Sequence, residues 1–328
     1  MDFRLTEEQR ELQQAARRFA QEQLRPLAKH LDQTGQACPK DWVRKYAELG
    51  FLGINIPTGY GGMGLGNLEA LIVLEELAKI SSAVAFPVFE SCVGPVRAIE
   101  HFGTPELRDR VVPAVCRGDM IVAIAMSEPE AGSALTDLTS RVTERDGKLY
   151  LNGTKRWCSG GGHADGYVVY VRMSEDAGAK GIGAVFVEKG MKGLSFGANE
   201  QLMGFRGIPS SDIYFDDVEI PAENVIVGAG GFKKMMEAFD LERCGNATMS
   251  LAQASGALEE VTDYVQERKQ FGRAIVEFQA VQIKLAEMKM KVEAARLLIH
   301  RAASNAQDGM PSLDRKSTRL NSSHLGIS

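Results

Sequence analysis

Arg141-Val-Thr-Glu-Arg145, Asp146-Gly147, Lys148-Leu-Tyr-Leu151 sets the architecture of this 328-residue chain. Two short runs that favour strands flank Asp-Gly, a dipeptide that accepts the left-handed backbone of a two-residue hairpin turn. Asn152-Gly153 follows as a second turn signal. Downstream, Tyr167-Val-Val-Tyr-Val171, Ile182-Gly-Ala-Val-Phe-Val187 and Ile213-Tyr-Phe215 are spaced like the strands of a small antiparallel barrel or sandwich. Residues 119–228 therefore read as a β-domain.

On both sides of that segment the periodicity turns helical. In residues 1–118, Thr6 with Gln9 makes a capping box, Leu12, Ala16, Phe19 and Ala20 form an apolar stripe, and Pro26 is expected to kink it. A second helix covers 41–49, with Trp42 and Tyr46 four apart and Gly50 as its stop. A third covers 68–80, where Leu71, Leu74 and Leu77 recur every three residues. Thr104-Pro105 opens a further one, Thr capping and Pro in the first helical position. After Pro221 and the glycine-rich linker 228–231, helix resumes and runs to about residue 303, broken near Phe271-Gly272. The order is α, β, α.

The fold class is thus α+β: an N-terminal all-α domain (1–118), a central antiparallel β-barrel or sandwich domain (119–228) and a C-terminal helical bundle domain (229–314) read as incomplete. Residues 315–328 have no period and resemble translated sequencing-adaptor read-through. They are expected to be a non-native tail standing in place of the true C-terminus.

Composition narrows the function. With 44% apolar and 25% charged residues the chain is an ordinary globular one, and a net charge of -5 gives no basic surplus for nucleic acid or an anionic membrane. The longest apolar runs are short and broken by charge, such as Leu71-Ile-Val-Leu74 before Glu75, whereas a membrane span needs ~20 apolar residues. The start is acidic and amphipathic, unlike a targeting peptide. Five scattered cysteines without CxxC point to reduced thiols and a cytoplasmic chain, and five histidines without HExxH or a His/Cys cluster leave metal binding unsupported.

Gly59-Tyr-Gly61-Gly-Met-Gly64 satisfies the dinucleotide pattern GxGxxG, but its surroundings are helical rather than repeated βαβ and Pro57 interrupts the approach. It reads as a glycine-rich loop between helices. Glu242 is more informative. Met235, Phe239, Glu242, Asn246 and Met249 follow 4-3-4-3 spacing and share one helix face. A carboxylate amid apolar neighbours either pairs with an arginine of another helix or is desolvated, its pKa raised toward that of a useful general base. Asp240 and Arg243, three apart on a neighbouring face, are compatible with a helix ion pair.

Five segments in order resemble the acyl-CoA dehydrogenase family of flavoproteins: Pro57-Thr-Gly-Tyr-Gly-Gly-Met-Gly64, Met126-Ser-Glu-Pro-Glu-Ala-Gly-Ser133, Leu151-Asn-Gly-Thr-Lys-Arg-Trp-Cys-Ser159-Gly-Gly, Phe239-Asp-Leu-Glu-Arg243, and Glu267-Arg-Lys-Gln-Phe-Gly272 with Gln279. The resemblance runs from Phe3 to about Ala303. It implies FAD between the β-domain and the C-terminal helices, and a reaction in which Glu242 removes the α-proton of an acyl-CoA while the β-hydride passes to flavin N5, giving a trans-2-enoyl-CoA. On the same basis Met126 and Ser127 face the flavin pyrimidine, Trp157 covers the isoalloxazine and Ser159 bonds N5. Ser133 lies near both cofactor and the CoA portion, and Asp240 and Arg243 hold the CoA arm. Arg268, Phe271 and Gln279 match groups that reach the FAD of a neighbouring subunit, implying a homo-oligomer, a dimer of dimers. Electron-transfer flavoprotein is the implied electron acceptor.

Phe86 and Glu90 match the closed end of the family's acyl pocket, where Phe86 with Phe89 favours a short or branched acyl group. Met203-Gly-Phe-Arg-Gly-Ile-Pro209 is similar to a branch that includes a sulfinopropanoyl-CoA desulfinase. That enzyme lacks the catalytic glutamate and carries an arginine near the pocket end, whereas Glu242 is present here and residues 84–90 contain no arginine. A flavin monooxygenase or oxidase on the same fold, and an inactive truncated fragment, are the other readings.

Overall fold

The computed structural model describes residues 4–306 and 309–311; the expected tail at 315–328 lies outside the described residues. Helix α1 (Glu7–Phe19) begins at Thr6, whose hydroxyl accepts the Gln9 N–H at 3.2 Å while the Gln9 side chain accepts the Thr6 N–H at 2.9 Å. A widened π-helical turn, Ala20–Leu24, separates it from α2 (Arg25–Thr34). Pro26 lacks an N–H and crowds the preceding carbonyls, so the expected kink is taken up one turn earlier. Helices α3 (Lys40–Glu48), α4 (Asn67–Ala78), α5 (Ser82–Cys92), α6 (Pro95–Phe102) and α7 (Pro105–Cys116) complete the N-terminal part, α7 capped by the Thr104 hydroxyl. Contrary to the sequence reading, the stretch 82–102 is long and apolar enough to span a membrane, but most of it is buried in the interior. It divides into α5 and α6.

The glycine-rich loop lies between α3 and α4 and folds back on its own approach. Met63 N–H donates to Gly53 O at 2.7 Å and Leu65 N–H to Ile54 O at 2.9 Å, so residues 51–56 form turns rather than a strand. A side chain at Gly62 would meet Ile56 O at 2.2 Å. Close backbone packing, not a phosphate, accounts for that glycine.

The middle of the chain supplies β1 (Val122–Ala125), β2 (Arg141–Arg145), β3 (Lys148–Ser159), β4 (Gly166–Arg172), β5 (Ile182–Glu188), β6 (Leu194–Phe196), β7 (Ser210–Ile220) and β8 (Val225–Val227). They form one eight-stranded sheet in the order β6-β7-β3-β2-β4-β5-β8, with β1 beside β4. Most pairings are antiparallel, as expected, but β1 and β2 meet β4 in parallel. The hairpin turn has Asp146 at φ 52° and Gly147 at φ 73°, both left-handed. Asn152-Gly153, by contrast, is not a turn. It lies within β3, where a Cβ on Gly153 would come within 2.6 Å of Ser140 Cα. There the glycine permits two strands to approach.

Strands β4 and β5 are continuous apolar runs because both faces are covered. Tyr167, Val169, Val171, Val185 and Val187 join the core that includes α1 to α5; Val168, Tyr170, Ile182, Ala184 and Phe186 join a second core with α6, α7 and the start of the next helix. That helix, α8 (Phe232–Glu267), leads through the short hairpin β9 (Lys269–Gln270) and β10 (Arg273–Ala274) to α9 (Gln279–Ser304), antiparallel to it.

Candidate active site

The outer end of β3 carries the first group of expected residues. Its register against β7 slips between Lys155↔Ile213 and Cys158↔Ser211, so Arg156 and Trp157 together face the single residue Asp212. This is a β-bulge, a device that re-aims a side chain. Trp157 has φ 54°, a left-handed backbone costing roughly 1–3 kcal/mol for a non-glycine residue. Its indole is 60% exposed. The Arg156 guanidinium lies 5.0 Å from the indole centroid and pairs with Asp212 at 2.8 Å. A large aromatic held in a strained turn with an open face is what a planar ring ligand needs.

Ser127 and Met126 sit beside this bulge. Ser127 O accepts the Arg156 N–H at 2.8 Å, and Met126 O accepts the Lys155 ammonium at 3.0 Å. Ser159 closes β3 opposite Ser210. The clamp behind them is an ion pair that the sequence reading missed. Lys155 and Glu128, both essentially buried, meet at 2.8 Å. Glu128 also accepts from the backbone N–H groups of Thr139 and Ser140 and from the Thr139 hydroxyl. Lys155 and these donors hold its carboxyl down at about 2 against the opposing cost of burial. A signal existed: Leu151 and Lys155, four apart in a strand, point to the same inward face.

Glu242 lies in the interior on α8, 8% exposed, where burial lifts its pKa to about 8 and the adjacent Arg243 charge only partly opposes the rise. Among the described residues no hydrogen bond or ion pair engages its carboxylate, so the expected alternative of an arginine partner on another helix is not realised. Glu90 of α5, 6% exposed, is near enough that the Glu242 charge adds to burial in pushing its pKa well above the ordinary range. Glu90 Oε1 in turn faces the loop after Ser159; an atom at the Cβ position of Gly160 would lie 3.6 Å from it. The fold thus sets Gly160, the residue after Ser159, beside Glu90, and Glu90 within electrostatic range of Glu242. Tyr170, whose hydroxyl donates to Met235 O at 3.2 Å, is held protonated by burial and by the Glu242 charge. Phe86 stacks on Phe89 at 5.4 Å and meets Phe205 edge-on at 5.8 Å, closing the Glu90 end.

The remaining expected residues are dispersed. Asp240 and Arg243 are half-buried on α8, Arg243 4.6 Å from the Phe239 ring, and Ser133 is exposed in the loop after β1. Arg268, Phe271 and Gln279 are exposed around the β9–β10 hairpin, Phe271 at 90% and φ 50°. They are separated from Glu242 by roughly 37 Å of helix, so one chain cannot bring them to the same end of a site.

Three family models match in register with this architecture: the N-terminal domain of acyl-CoA dehydrogenase at residues 6–119, its middle domain at 123–218 and its C-terminal domain at 229–321. The chain belongs to the acyl-CoA dehydrogenase family of oxidoreductases. It is 36% identical to 3-sulfinopropanoyl-CoA desulfinase of Variovorax paradoxus, across 95% of this chain and 80% of that protein. It is 34% identical to the short-chain-specific acyl-CoA dehydrogenase of Clostridium acetobutylicum, across 100% of this chain and 86% of the relative. The solved structure of butyryl-CoA dehydrogenase from Megasphaera elsdenii superposes with a TM-score of 0.90 at 33% identity, covering 95% of this chain and 82% of that one.

Proposed function

We propose that the chain dehydrogenates a short or branched acyl-CoA to the trans-2-enoyl-CoA, with Glu242 as the base. The observation that carries this reading is a buried glutamate, its pKa raised to about 8, whose carboxylate no cation from another helix engages among the described residues. In its ionised form Glu242 can accept the α-proton, and an arginine partner would have removed that capacity by holding it ionised but weakly basic. FAD is the family's cofactor and, when bound, supplies the acceptor for the β-hydride. The residues present suit it: the exposed Trp157 indole for a planar ring, with Ser127, Met126 and Ser159 on adjoining backbone for polar edges, and Ser133 further along the loop. Asp240 and Arg243 are suited to the CoA arm, and the Phe86, Phe89 and Phe205 cluster restricts the acyl end beside Glu90. Arg268, Phe271 and Gln279, remote from Glu242 in one chain, support a homo-oligomer in which they serve a second copy. Electron-transfer flavoprotein fits as acceptor, and five buried, unbridged thiols suit the cytoplasm.

Glu242→Gln tests the assignment. The glutamine chain should keep FAD while substrate-driven bleaching of the flavin slows by about 10²- to 10⁴-fold. Bleaching at the parent rate would sink it. The Variovorax paradoxus relative keeps desulfination as a second reading. Sulfite released from 3-sulfinopropanoyl-CoA, undiminished in Glu242→Gln, would favour that chemistry over α-proton removal.

A further inference from the structure

The bulge in β3 is held from two sides. The N–H of Arg156 donates to Ser127 O at 2.8 Å, and the N–H of Trp157 donates to Asp212 Oδ1 at 3.3 Å. The other carboxylate oxygen of Asp212 receives the Arg156 guanidinium at 2.8 Å, and that guanidinium lies beside the indole. Asp212 is the single β7 residue opposite the two bulged residues, and its side chain is 12% exposed. In an ordinary bulge the extra residue leaves the ladder locally unpaired. Here a carboxylate takes the place of the missing ladder acceptor, binding one bulged residue through the main chain and the other through its side chain.

We propose that Asp212 is a positioning residue for the ring-facing surface: it holds Trp157 in the left-handed conformation and, through Arg156, fixes its distance from Ser127. This rests on the reading that Trp157 and Ser127 face the flavin. Asp212 itself touches neither cofactor nor substrate in this assignment; it acts through the bulge. Without it the Trp157 N–H has no strand acceptor, the left-handed residue is free to relax toward the extended region, and the indole swings off its platform.

The experiment uses the full chain with FAD and reads visible circular dichroism of the flavin, the FAD dissociation constant and far-UV circular dichroism as a fold control. Trp157→Ala is the reference for loss of the indole. Asp212→Ala should reproduce the Trp157→Ala flavin signal and weaken FAD about tenfold, the scale of one lost charge-assisted hydrogen bond. Asp212→Asn keeps an acceptor at Oδ1 and should restore the parent signal. Should the alanine chain fail the fold control, Asp212→Val, matched in volume and suited to a strand, takes its place. A parent-like flavin signal in Asp212→Ala or Asp212→Val, with Trp157→Ala altered, overturns the role of Asp212 alone. An Asp212→Asn chain as perturbed as the alanine chain overturns the acceptor role. If Trp157→Ala itself leaves the flavin signal unchanged, the flavin-facing reading fails, and this one with it.

Discussion

Glu128 and Glu242 are the same residue type at similar burial, 4% and 8% exposed, yet their carboxyls sit at about 2 and about 8. Glu128 meets a lysine and three further donors in the β-domain. Glu242 on α8 faces apolar groups and a second carboxyl, Glu90. Desolvation acts on both in the same direction, so the partner decides the outcome. A buried carboxylate that is fully satisfied is a clamp, fixing the loop of Met126 and Ser127 against β3. One that is left unsatisfied can take a proton, which is the capacity the proposed role of Glu242 uses.

Removing the partner from the first region should have the largest effect on stability. Lys155→Met strands a buried charge at Glu128, and chemical denaturation should show a loss of about 3–5 kcal/mol. Adding Glu128→Leu to that chain should recover most of the loss, because an apolar pair of similar volume carries no unpaired charge. If Lys155→Met alone is neutral, the contrast between the two carboxylates fails.

The two regions should also respond to pH with opposite signs. The folded pKa of Glu242 is raised, so its contribution is complete below the unfolded value near 4.5 and is lost as pH climbs through about 8. The ceiling on that loss is roughly 4–5 kcal/mol. Glu128 is depressed, so its contribution is present above about 4.5 and disappears as pH falls toward about 2. Urea denaturation from pH 5 to pH 9 should therefore show a falling stability whose slope Glu242→Gln reduces, the remainder belonging to Glu90, whose pKa burial also raises. The rate of flavin bleaching should rise over the same interval as the base ionises, and a rate independent of pH there would contradict the assignment.

The smallest effect is expected at Arg243, whose charge lowers the Glu242 pKa against the larger pull of burial. Arg243→Ala should move the rising limb of the bleaching profile to higher pH. A shift to lower pH would reverse the electrostatic ordering around the base.

Legibility followed the range of the interactions. Thr6, Thr104 and the Asp146-Gly147 turn are settled within four residues, and all three could be read from the chain. The face carrying Glu242 was equally plain, since helical spacing alone puts Met235, Glu242 and Met249 together. Asn152-Gly153 misled, because a glycine demanded by a turn and a glycine demanded by Ser140 across the sheet look alike in sequence. The partner of Lys155 was not legible, because Glu128, 27 residues earlier, comes to 2.8 Å of it only in the folded chain. Asp212 was illegible for a stronger reason: its role arises from a one-residue slip between β3 and β7, which no local pattern records.

The amino-acid order by itself determined the α, β, α succession, the family's motif series and the presence of an acid on an apolar helix face. These follow from periodicity, turn chemistry and caps, which are properties of neighbours along the chain. Only the tertiary structure decided which buried acid is paired and which is left without a cation from another helix among the described residues. Charge state in the interior depends on what other segments place within about 4 Å, and that distance is set by packing rather than by sequence separation.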